Sequence, residues 1–131
     1  MLNFYYEPLN RIKIKFSSNE LVSIRITING EIKVIQCRSV IDFVVTLNID
    51  EPNVIEIENL TNDVACNVDQ VWLNYLNITP IMYEFTKTYT KADNNQIGEF
   101  VTDIFGPDRI IITFDKNLYK KIFPYFKKGT V

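Results

Sequence analysis

The sequence predicts an all-β protein, an antiparallel β-sandwich of jelly-roll type, and three observations carry that expectation. Apolar and polar residues alternate with a period of two along most of the chain. Turn signals built from Asn, Asp, Gly and Pro separate the alternating runs at regular spacing. No stretch sustains a helical apolar stripe beyond about two turns. Roughly eight to ten short strands follow from this pattern, with a closed barrel as the alternative architecture. At 131 residues, without a linker, repeat or low-complexity tract, residues 1–131 are expected to form one domain.

The first strand comes from Ile12, Ile14 and Phe16, which alternate with Arg11, Lys13 and Lys15. Ser17-Ser18-Asn19 predicts a turn. Val22, Ile24, Ile26 and Ile28 form a second inward face, and Asn29-Gly30 predicts a type I′ hairpin, because both central residues need positive φ. Ile32 and Val34 are expected to resume the alternation. Ile41, Phe43, Val45, Leu47 and Ile49 make the next inward row, and Asp50-Glu51-Pro52-Asn53 turns the chain. Ile55 and Ile57 then point inward, with Glu56 and Glu58 outward.

Beyond a polar loop, Val71 and Leu73 share a face that Trp72 opposes. Leu76 and Ile78 break strict alternation, so a bulge near Asn74-Tyr75 is expected to keep them in the core. Strands are predicted at about 81–89 and 97–105 and through Ile110, Ile112 and Phe114, with a turn at Gly106-Pro107-Asp108. Residues 117–126 read equally as a short helix ended by Pro124 or as irregular chain.

Composition narrows the function classes. Histidine is absent, which removes the commonest general base and metal ligand. No nucleophile elbow, P-loop or dinucleotide motif occurs. Glu56 and Glu58 are the nearest thing to paired carboxylates, and they read as solvated surface. An enzyme is not expected. A net charge of −2 gives no basic footprint for nucleic acid or an anionic membrane. Cys37 and Cys66 lack CxxC spacing and read as free buried thiols. Glu7 and Pro8 interrupt any apolar segment near the start, so no signal peptide is expected, and the sequons at Asn59 and Asn77 read as chance matches. Ile, Asn, Lys, Phe and Tyr are abundant, a usage that follows AT-rich codons and suggests a phage or similar small genome.

The stretch from Val54 to Ile78 carries the clearest local signature. Ile55 and Ile57 lead into Asn62-Asp63, a short loop, Asp69, and then Trp72-Leu73-Asn74-Tyr75-Leu76-Asn77-Ile78. This pattern resembles calcium-dependent xylan-binding modules over residues 54–78. The resemblance implies a β-sandwich, Asn62, Asp63 and Asp69 as oxygen ligands for Ca²⁺, and Trp72 or Tyr75 as a sugar-stacking face. The sequence departs from that family in having Val64-Ala65-Cys66-Asn67 in place of a Gly-rich loop and Gln70 in place of a basic residue. The alternative for the same residues is a set of Asx-type turns with no metal or other cofactor.

Aromatic residues make up 13% of the chain and cluster near both ends, more than a lone sandwich needs. Phe4, Tyr5, Tyr6, Trp72, Tyr125 and Phe126 are therefore expected at a protein–protein interface. The expected function is a structural subunit of a multi-copy assembly. A tailed-phage virion is the favoured location, as a capsid decoration, neck, tail or fibre-associated protein made in the host cytoplasm. The alternative is a carbohydrate-binding module that meets a surface glycan.

Overall fold

The computed structural model describes residues 9–48, 51–84, 86–91, 96–97 and 103–114. In chain order the strands are β1 (Leu9–Ile28), β2 (Glu31–Asn48), β3 (Asn53–Asn59), β4 (Ala65–Leu73), β5 (Leu76–Asn77), β6 (Thr86–Thr90), β7 (Gln96–Ile97), β8 (Asp103–Phe105) and β9 (Arg109–Phe114), with a 3-10 segment at Thr79–Glu84. Every pairing is antiparallel, and the described strands join into one curled sheet. The all-β, antiparallel class is the one the sequence predicts.

β1 forms because its two alternating runs put their apolar side chains on one face, with Leu21, between the runs, left exposed. Ile12, Ile14, Phe16, Val22, Ile24 and Ile26 are all fully buried. Where Ser17-Ser18-Asn19 predicts a turn, the structure has a bulge. Ser18 pairs with Ser39 and Val22 with Cys37, so the chain advances farther on β1 than on β2. The extra length is an even number of residues, so the inward face continues unbroken. Ser18 is buried there, its Oγ donating to Ala65 O at 3.1 Å and accepting from Glu20 N. For the same reason β2 is one long strand rather than the two that the sequence suggests.

The hairpin turn is as expected, with φ of 49° at Asn29 and 89° at Gly30. It is clipped to the next turn by two side chains. Asn29 Oδ1 accepts from Val54 N and Asn29 Nδ2 donates to Oδ1 of buried Asn53, whose own Nδ2 closes the second turn by donating to Asn48 O and Glu51 O.

The opposite edge of β1 forks. Its first half pairs with β4, from Ile12 against Leu73 to Ser17 against Asn67. Its second half pairs with β3, from Ile24 against Asn59 to Ile28 against Ile55. The β3 branch continues through β9, β6 and β7, whereas the β4 branch carries β5 and β8. The buried side chains of both branches, with Ile78, Ile81 and Met82, form a single cluster on the inner face.

Three other expectations change in detail. The described parts of 81–89 divide between the 3-10 segment and β6, and those of 97–105 are Ile97 of β7 and all of β8. Asn74-Tyr75 is a two-residue turn, not a bulge: Leu73 pairs with Leu76, and Trp72 with Asn77. Reversal of the chain, not an extra residue, returns Ile78 to the core, where its N–H reaches Val71 O at 2.9 Å. Residues 117–126 lie outside the described residues.

Candidate functional site

Trp72 and Tyr75, the two residues expected to meet a ligand, come together on the outer face of the sheet. Trp72 is half-buried because Val71 and Leu73 take the core side of β4. Its Nε1 donates to Gln70 Oε1 at 3.1 Å, and Lys13 Nζ lies 5.3 Å from the ring centroid. Tyr75 stands at the tip of the two-residue turn and is 87% exposed. The turn is made by Asn74, whose φ is 52°. It is fastened to β1 by Asn74 N donating to Arg11 O and Arg11 N donating to Asn74 Oδ1.

Arg11, Lys13, Trp72, Asn74 and Tyr75 line a shallow depression of about 350 Å³. Its lining joins two aromatic faces to two cations and contains no carboxylate. Such a surface can stack a flat apolar ring face and donate hydrogen bonds to hydroxyl or anionic oxygens. Sequence reading placed the aromatics here but not Arg11 and Lys13, which arrive from β1 through the strand pairing of Lys13 with Trp72. That pairing is long-range and has no local signal.

The suggested calcium ligands are not gathered in this way. Asn62 and Asp63 are exposed in the turn before β4, with Asp63 at a φ of 63°. Asp69 sits on β4 at the bulge opposite Lys15 and Phe16, and accepts from Ser17 Oγ at 2.9 Å. Four strand residues beyond Ala65 correspond to about 13 Å of extended chain, several times a Ca–O bond. Among the described residues no group of three or more His, Cys, Asp or Glu side chains could hold a metal ion.

The loop is instead a structural knot. Asn59 is only 1% exposed; its Nδ2 donates to Val64 O at 2.7 Å and to Ile104 O at 2.9 Å, and its Oδ1 accepts from Thr61 N. Thr61 Oγ1 accepts from Ser23 N, and Gly106 exchanges backbone hydrogen bonds with Asp63 and Val64. Both sequons therefore serve as local turns: Asn77 Oδ1 accepts from Thr79 N and from Thr79 Oγ1.

The remaining chemical candidates are occupied or buried. Glu58 is ion-paired with Arg25, and Glu56 with Arg109 at 3.1 Å, so neither carboxylate stands open as an acid or base. Cys37 and Cys66 are free and buried, as expected. Burial pushes the Cys66 thiol up to about 12, helped by Cys37 and Asp69, and burial likewise raises Cys37.

Of the expected interface residues, Trp72 is on the outer face, whereas Phe4, Tyr5, Tyr6, Tyr125 and Phe126 lie outside the described residues. Among the described residues, the largest run of exposed apolar side chains lies elsewhere, on β2. Ile32, Val34, Val40 and Val44 are 61%, 59%, 54% and 43% exposed. Sequence reading put Ile32 and Val34 on the inward alternation. The two-residue turn pairs Ile28 with Glu31, and that parity sends Ile32 and Val34 to the opposite face. The Asn29-Gly30 signal already contained this consequence.

The described residues form an antiparallel β-protein with a polar-aromatic depression on its outer face and a long edge strand that exposes apolar side chains. Among the described residues no helix is long and apolar enough to cross a membrane. In comparisons with known proteins, the chain matches no family model, no curated protein and no solved structure.

Proposed function

We propose that this chain is a non-enzymatic structural subunit of a multi-copy assembly. The observation that carries this reading is β2, an 18-residue strand that pairs only with β1 among the described residues and leaves four large apolar side chains in solvent. A long edge with such side chains is a template for another chain, and isolated proteins usually blunt it with charge, proline or a covering element. The particle we propose is a tailed-phage virion, a setting supported by the AT-rich residue usage. Native mass measurement of the source particle tests the reading. Many symmetric copies of the chain are expected, and a single unassociated copy overturns it.

A second reading, glycan binding, is favoured by the depression at Trp72 and Tyr75. Calorimetry against a glycan panel is expected to give binding that Trp72→Ala abolishes and that chelation of calcium leaves intact, since Asp63 and Asp69 are held apart. Absence of heat with every glycan disposes of it.

A further inference from the structure

We infer that β2 is a homotypic docking strand, pairing antiparallel with β2 of a second copy about a two-fold axis at Val40. This rests on the assembly reading above and gives it a partner and a register.

The backbone direction comes from β1. Arg11 exchanges hydrogen bonds with Asn74, and Ser23 O accepts from Leu60 N. The odd residues of β1 thus aim their polar groups at β4 and β3, and the even residues aim theirs at β2. Even residues of β1 stand opposite odd residues of β2 in both arms, Ile14 against Phe43 and Ile24 against Ile35. The even residues of β2 consequently turn N–H and C=O outward, where no described strand meets them. These same residues carry the exposed side chains of Ile32, Val34, Val40 and Val44.

Charge selects the occupant and the register. Arg38 and Asp42 are both exposed, flank Val40 symmetrically, and belong to no ion pair among the described residues. With Val40 on the axis, Arg38 of each copy faces Asp42 of the other, so the pair forms twice. Val34 then faces Thr46, Gln36 faces Val44, and on the core side Ile35 faces Val45. An axis at Arg38 or at Asp42 would set like charges opposite each other, and the intermediate registers give neither charge a counter-charge from the second copy. Lys15, opposite Asp42 on β1, extends the row on the outer face. Ser39, at a φ of 73°, bends β2 beside the axis. The two-fold operation bends both strands toward the same face, so the arms remain opposed.

The test uses the full chain in three forms, each checked for a wild-type circular dichroism spectrum. Sedimentation velocity is expected to show a dimer that Arg38→Asp weakens by about tenfold and that adding Asp42→Arg restores to within about threefold. Val40→Cys is expected to cross-link across the axis under mild oxidation, because hydrogen-bonded antiparallel pairs stand about 5.5 Å apart at Cα, within disulfide reach. The native thiols, both buried, supply little background. A dimer that neither responds to the charge swap nor cross-links overturns the pairing and leaves the assembly reading standing. A folded monomer at all concentrations, with β2 covered by another segment or by a different protein, also overturns the pairing. In that case the count of copies in the source particle decides the assembly reading separately.

Discussion

The knot at the β3–β4 loop and the edge of β2 treat polar and apolar groups in opposite ways. At the knot, a buried amide is fully used: both Asn59 Nδ2 hydrogens meet carbonyls and its oxygen meets an N–H. On β2, one row of backbone polar groups and four large apolar side chains face solvent. The knot stabilises the fork where β1 changes partner from β4 to β3. Among the described residues the outward row of β2 adds little to the fold, and in the proposed pairing it is the part that associates. Stability and interaction are thus carried by different parts of one sheet, and substitutions can separate them.

The largest effect is expected at Gly106. A Cβ there would lie 1.8 Å from Thr61 O and 2.6 Å from Thr61 C, both backbone atoms that cannot swing aside. Gly106→Ala must displace the loop, and a loss above about 4 kcal/mol is expected in denaturant titration, near the limit of what a single substitution does. Next comes Asn59→Ala, which takes a donor from the buried Ile104 carbonyl, leaves Val64 O with Gly106 N–H, and should cost about 2–4 kcal/mol. Asn59→Asp keeps the shape but replaces the donor by a carboxylate facing two carbonyl oxygens. It should be at least as damaging, and near-wild-type stability for Asn59→Asp would show that the amide donors are not what holds the knot.

Much of the inner face was legible in the sequence because it depends on local alternation: β3, β9 and the Asn29-Gly30 hairpin follow from period and turn chemistry alone. The length of β1 and β2 was not. Ser17-Ser18-Asn19 has the composition of a turn, and only Ala65 O, brought by β4, makes Ser18 part of a bulge. Asn59 carries no local sign of burial, because its decisive partner, Ile104, is 45 positions away. At the outer face the same limit applies. Trp72 and Tyr75 are three residues apart and are singled out by the resemblance over 54–78, whereas Arg11 and Lys13 join them only through tertiary pairing. Asp63 and Asp69 are near in sequence but apart in space, since the strand between them is extended.

A smaller, pH-dependent effect comes from Cys66, packed close to the knot through the pairing of β4 with β8. Its thiol ionises at about 12 in the folded chain, against an ordinary value of 9.0. The unfolded chain therefore releases a proton first as pH rises. Cys66 leaves stability unchanged below pH 9 and lowers it between there and about 12, by at most about 1.4 kcal/mol per pH unit. Denaturant titrations of the wild type and Cys66→Ala from pH 8 to 11, compared as a difference, isolate this slope from other alkaline groups. Parallel curves would mean that the thiol ionises equally in both states.

The smallest effect on folding is expected on β2, and it sharpens the contrast most. Val34→Lys removes a side chain that is 59% exposed on the outer face, so little buried area is lost. The monomer should change by no more than about 0.5 kcal/mol, as surface substitutions generally do. Association should respond much more strongly. In the β2 pairing Val34 lies against Thr46 of the second copy, and a lysine there must either bury its charge or leave the interface, a known way of protecting an edge strand. A loss of self-association with an unchanged unfolding midpoint, measured on the same preparation, assigns the outward row of β2 to assembly alone. An equal loss in both measurements would instead tie that outer row to folding as firmly as the inward row of Cys37, Phe43 and Leu47, and the separation between edge and knot would disappear.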